Sequence, residues 1–79
     1  MSTVIPAGLT VQITKLHLFH PSNIGVGYVR QGRIQRDVRT GSPMSLKGYD
    51  STRVDEVNQI TNSRYVVRTI ASLYLVEMI

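Results

Sequence analysis

With 79 residues and 42% apolar side chains, the chain reads as one small domain, 1–79, with little core to spare and no sign of disorder. It has no cysteine and no apolar run near the roughly 20 residues of a membrane-spanning helix, which excludes disulfides and thiolate metal sites and predicts a cytoplasmic protein with no membrane partner. Nine Lys and Arg against five Asp and Glu give a net charge of +4, and seven of those cations are arginine, whose planar fork suits phosphate and carboxylate.

Residues 1–8 read as a loose lead-in punctuated by Pro6 and Gly8. MSTVIPAGL has no basic region ahead of an apolar stretch, so no secretory leader is expected. In the segment from Leu9 to His20, Leu9, Val11 and Ile13 alternate with Thr10, Gln12 and Thr14, the pattern of a half-buried strand. The apolar beat then moves to Leu16 and Leu18, which predicts a bulge near Lys15. Pro21-Ser22-Asn23 is expected to end the strand.

Ile24 to Thr40 reads as a β-hairpin; with Gln31-Gly32 as a two-residue loop Arg30 stands opposite Arg33, Val29 opposite Ile34 and Tyr28 opposite Gln35, and a longer loop is the alternative because Gln-Gly is a weaker turn than Asn-Gly. Such a tip is repulsive unless an anion or a partner carboxylate sits between the guanidiniums. Gly41-Ser42-Pro43 breaks the chain, and MSLKGYD is a short edge-strand candidate ending in a turn at Gly48.

Asp50 to Ile60 supports two readings. Ser51 or Thr52 could cap a short helix over residues 51–60, with Val54, Val57 and Ile60 three apart. The alternative is a strand returning through a turn at Asn62-Ser63, and the turn chemistry there and the β-rich sequel favour it slightly. Arg64 to Ile79 is the longest apolar-rich stretch and holds neither Gly nor Pro. Its Tyr, Val, Thr and Ile content predicts the central strand or strand pair, with a bend at Ala71-Ser72. The expected fold is all-β or mostly β: a small barrel-like or curled antiparallel sheet of five or six strands. A domain this small, without disulfides or an evident metal, is expected to form a homo-oligomer.

No catalytic constellation is visible, and no enzyme activity or cofactor is expected. His17 and His20 would point to opposite faces of a strand and lack a third ligand, so no metal site is expected. Gly25-Val26-Gly27 is only a fragment of a phosphate loop. The arginine series Arg30, Arg33, Arg36 and Arg39 is the strongest positive signal, suited to a phosphate or a nucleic-acid groove. Tyr28 and Tyr49 are candidates to stack on a base, whereas Tyr65 and Tyr74 read as core residues with a hydrogen-bonded tip.

The closing half carries a small-hydroxyl pair followed by valine, Ser51, Thr52 and Val54, and then a strand with Thr69, Ser72, Tyr74 and Val76. This pattern resembles small phage- or mobile-element-encoded β-proteins similar to anti-defence sponges, oligomers that sequester nucleotide immune signals without chemistry. Ala71 stands where that pattern has Asn, and Val76 where it has Leu. The resemblance implies a polar pocket lined by Thr69, Ser72, Tyr74 and Arg68, and a setting in the cytoplasm of an infected bacterial host. The function expected is therefore non-enzymatic binding of a small anionic nucleotide, a cyclic-nucleotide or NAD-derived signal. Arg30, Arg33 and Arg68 would hold phosphate, and Tyr28 or Tyr49 would stack on the base. The alternatives are a nucleic-acid-binding regulator using the basic hairpin, and a virion structural or decoration protein.

Overall fold

The computed structural model describes residues 3–20 and 25–79. The expected strand end at Pro21-Ser22-Asn23, the start of the proposed hairpin at Ile24, and Met1 and Ser2 of the lead-in lie outside the described residues. Six strands form: β1 (Thr10–Leu18), β2 (Val29–Arg33), β3 (Pro43–Leu46), β4 (Tyr49–Thr61), β5 (Arg64–Thr69) and β6 (Ser72–Met78). They make one antiparallel sheet in the order β2-β1-β6-β5-β4-β3. The two edges then meet. Ile34, just past β2, bridges to Leu46 of β3, and Gln35 N–H donates to Ser45 O at 2.9 Å. The sheet is thereby almost closed into a barrel, which leaves few unpaired edges. No helix among the described residues is long and apolar enough to cross a membrane.

The Arg64–Ile79 stretch is the expected strand pair, and it occupies the middle of the sheet. Tyr65, Val67 and Thr69 face inward on β5, whereas Ser72, Tyr74 and Val76 do so on β6. The change of phase happens at Ile70-Ala71, where the chain reverses. Thr69 Oγ1 accepts from Ser72 N–H at 3.0 Å and donates to Ser72 O at 3.1 Å, so one hydroxyl closes the turn.

The bulge in β1 is present, between Lys15 and His17. It does not hand the core face to Leu16 and Leu18, as the apolar beat suggested. Leu16 is left exposed, and Lys15 keeps the inward phase of Val11 and Ile13, with 3% of its surface accessible. Its long stem can line apolar surface while its ammonium sits over the Tyr74 ring, 5.6 Å from the centroid.

The hairpin expected around Gln31-Gly32 does not form. These residues lie inside β2, where Gln31 pairs with Gln12 and Gly32 with Val11. The chain continues outward instead of turning back, because β1 offers a ready partner for the whole of 29–33. Arg30 and Arg33 are therefore neighbours on one strand and do not face each other. The short helix weighed over residues 51–60 is also absent. β4 runs straight through it, with an extra residue against β3 between Asp50 and Arg53 and another against β5 between Val54 and Glu56. Each bulge adds a residue to the two-residue period. Inward positions at Ser51, Val54 and Val57 thus recur every third residue, which reads as a helix in a bare sequence.

The lead-in is not loose. Ile5 is fully buried and exchanges both backbone hydrogen bonds with Val38, at 3.0 and 2.8 Å. Together they plug one end of a core built from Ile13, Met44, Leu46, Val54, Val67 and Val76. We expect Ile34→Ala, which removes a fully buried side chain at the closing bridge, to cost about 2–5 kcal/mol in urea unfolding. Ile70→Ala, at the exposed turn, should stay within about 0.5 kcal/mol. Equal costs for the two would contradict the placement of the seam.

Candidate functional site

Antiparallel partners share a face, so the residues opposite buried β1 positions show which β2 side chains turn inward. Ile13 and Val11 are fully buried; their β2 partners are Arg30 and Gly32. Neither supplies an apolar side chain. Gly32 leaves space that Leu46 fills: a Cβ there would stand 3.0 Å from Leu46 Cδ2. Arg30 crosses the remaining gap and donates from Nη2 to Lys47 O at 2.9 Å. Gly48 takes φ 76°, a conformation that favours glycine, and a Cβ there would stand 2.9 Å from Arg30 Nη2 and push the guanidinium aside.

On the outside of this seam lies a cleft of about 550 Å³, lined by Ala7, Gly8, Arg33, Ile34, Gln35 and Lys47. Its size falls in the range of small-molecule sites. Among the described residues that line it, Arg33 and Lys47 are the charged ones and none is a carboxylate. Among the described residues the ion pairs are Arg53–Asp55 at 3.6 Å and Arg64–Glu77 at 3.1 Å, so neither cation of the cleft is neutralised by a carboxylate. Both stand ready for an anion.

The barrel interior on the other side of Arg30 holds a tyrosine cluster. Tyr28 and Tyr49 stack with ring centroids 5.6 Å apart and 21° between planes. Tyr74 meets Tyr49 edge-on at 6.4 Å, and their hydroxyls are 2.7 Å apart. Arg30 Nη1 donates to Tyr28 Oη at 3.3 Å. Burial raises the pKa of the Tyr49 hydroxyl well above its ordinary value, making it a weaker acid, and the Tyr74 hydrogen bond and the charges of Tyr74 and Tyr28 add to this; Arg30 opposes it. Beneath lies a small pocket of about 130 Å³ where Lys15, Tyr49, Ser51, Ser72 and Tyr74 meet. Ser51 Oγ is engaged by Met44 N–H at 2.9 Å and donates to Thr52 O at 2.7 Å.

The structure thus joins Tyr28, Arg30 and Tyr49 in one chain of touching side chains and puts Arg33 beside it in the cleft. It leaves three candidates elsewhere. Arg68 lies on β5, three strands from β2 by either route round the barrel, with its guanidinium 4.8 Å from the Phe19 ring centroid. It cannot share one small ligand with Arg33. Thr69 and Ser72 are almost fully buried, and the Thr69 hydroxyl is spent on the β5–β6 turn. Tyr49 has one face on Tyr28 and its edge on Tyr74, which leaves Tyr28, half-buried, as the ring nearer solvent. Sequence reasoning misses Lys47. Its only cue there is a Lys-Gly turn, and nothing in the spacing links it to Arg33. His17 packs its ring against Phe19, and no group of three His, Cys, Asp or Glu side chains among the described residues is placed to hold a metal.

No protein-family model matches the chain, and no curated protein or solved structure matches it.

Tyr49, half-buried and hydrogen-bonded to Tyr74, makes stability depend on pH in alkali. Its raised pKa means that above the ordinary tyrosine value of about 10 the unfolded chain ionises at Tyr49 while the folded chain does not. Stability is therefore full below pH 10 and falls as pH climbs past it. Tyr49→Phe should flatten that alkaline limb and cost about 0.5–1.5 kcal/mol at neutral pH for the lost hydrogen bond. Denaturant midpoints from pH 7 to 11 measure both, and a Tyr49→Phe profile parallel to that of the parent would contradict the assignment.

Proposed function

We propose that the chain is a non-enzymatic binder of a phosphate-bearing nucleotide, held in the seam cleft with its phosphate between Arg33 and Lys47. The observation that carries this reading is the cleft itself: about 550 Å³, with a cation from each side of the seam and no carboxylate among the described residues of its lining. Guanidinium and ammonium donors form charge-assisted hydrogen bonds to phosphate oxygens. Ile34, Ala7 and Gly8 offer apolar surface for a base or sugar, and Gln35 offers an amide.

The lining also supports binding without chemistry. Among the described residues that line it there is no carboxylate, histidine, hydroxyl or thiol to act as nucleophile or general base. That fits the sponge-like role the sequence suggests: capture of a cyclic-nucleotide or NAD-derived immune signal in an infected bacterial cell, by a homo-oligomer that leaves the signal intact.

The test is a thermal-shift screen against cyclic mononucleotides, cyclic dinucleotides and NAD-derived nucleotides, with mass spectrometry of the recovered ligand. A true ligand at a hundred times its Kd stabilises by about 2.7 kcal/mol. For a domain of this size that raises Tm by on the order of 10 °C or more. Arg33→Ala together with Lys47→Ala should remove the shift without lowering Tm in the absence of ligand. The recovered nucleotide should have its original mass. A screen with no shift at millimolar nucleotide, or a ligand returned cleaved, would overturn the reading.

A further inference from the structure

Resting on the nucleotide reading of the cleft, we infer a second phosphate subsite formed by Arg36, Arg39 and Ser42, so that a short single-stranded oligonucleotide lying along residues 33–39 binds more tightly than a mononucleotide. The segment that follows β2 is pinned at two points. Ile34 is buried at the closing bridge, and Val38 is buried against Ile5. Between and beyond these anchors Arg33, Arg36 and Arg39 are all exposed. Core anchors therefore fix the backbone that carries this row of exposed guanidiniums, so a ligand has only their side chains to order.

Arg36, Asp37, Arg39 and Ser42 line their own pocket of about 220 Å³, several times the ~30 Å³ share of one water in the liquid. None of Arg33, Arg36, Arg39 or Lys47 takes part in an ion pair among the described residues. The one carboxylate in the row, Asp37, accepts the Ala7 N–H at 2.9 Å through Oδ1. Ala7 and Gly8 line the seam cleft, so this bond ties the wall of the first pocket to the floor of the second. A mononucleotide carries one phosphate for the two cationic pockets. A phosphodiester chain can place successive phosphates in both and lay its bases on the exposed guanidinium planes. An acidic peptide would meet the same charges, but bases add stacking that carboxylates lack.

Fluorescence anisotropy with the full chain decides it, using thymidine monophosphate as competitor, labelled oligothymidylate as probe and an oligoglutamate peptide as control. We expect the oligonucleotide to bind at least tenfold tighter than the mononucleotide. Arg36→Gln with Arg39→Gln should erase that gain and leave mononucleotide affinity unchanged. It should also lower the log–log salt slope by about 0.7, the share of the one single-strand phosphate that is no longer neutralised. Asp37→Asn keeps an acceptor for Ala7 N–H and removes a charge from the row, so it should tighten oligonucleotide binding several-fold. Equal affinity for both nucleotides, or indifference to the paired substitution, overturns the second subsite while leaving the cleft intact. Oligoglutamate binding as tightly as the oligonucleotide overturns it too, because charge alone is then being read. Failure of both nucleotides to bind overturns the proposed function as well.

Discussion

Strand β2 has no apolar side chain to turn inward, and the rest of the molecule is arranged around that shortage. Its inward positions carry Arg30 and Gly32, opposite the fully buried Ile13 and Val11. A barrel closes well when each strand fills its share of the interior. Here the last seam closes at the single Ile34–Leu46 bridge, with Leu46 occupying the space Gly32 leaves. Arg30 spans the gap that remains, held by the Lys47 carbonyl on one side and the Tyr28 hydroxyl on the other. The seam cleft, the tyrosine cluster and the exposed arginine row are all consequences of how this incomplete seam is filled.

The rest of the barrel meets its small size by using every buried position. Ile5 and Val38, from segments outside the named strands, join the core. Lys15 and three inward hydroxyl residues, Ser51, Thr69 and Ser72, are buried where apolar residues would be ordinary. The hydroxyls are satisfied locally: Ser51 by Met44 and Thr52, Thr69 by the backbone of Ser72. Among the described residues no buried side-chain nitrogen or oxygen lacks a hydrogen-bond partner. A half-satisfied polar interior would cost more than an apolar one, so this completeness is what makes a polar-lined end compatible with folding.

The candidate site is legible in its residue types more than in its geometry. Arg30 and Arg33 stand out because arginines recur every third residue, although the hairpin expected for them does not exist. As neighbours on one strand they fall on opposite sides of the sheet: Arg30 becomes a seam-closing residue and Arg33 a cleft residue. Tyr28 and Tyr49 read in the sequence as rings for a ligand, and they stack on each other. Lys47 reaches the cleft because the β3–β4 turn meets the end of β2, an approach of segments distant in the chain. No pattern of period two or three carries such information.

By itself the sequence determined the class of the fold, the central place of Arg64–Ile79, the turns at Gly48 and Asn62-Ser63, and the bulge near Lys15. These follow from local chemistry: β-branched and aromatic residues on a pleated surface, and Gly, Asn and Ser where the chain reverses. Only the tertiary structure decided which strand Val29–Arg33 joins, which phase β1 keeps past its bulge, and whether Val54, Val57 and Ile60 coil or extend. Each of those depends on a partner strand. A bulge can move a side chain from the core to solvent at little local cost, and pairing across the sheet, which no single segment contains, chooses between the two.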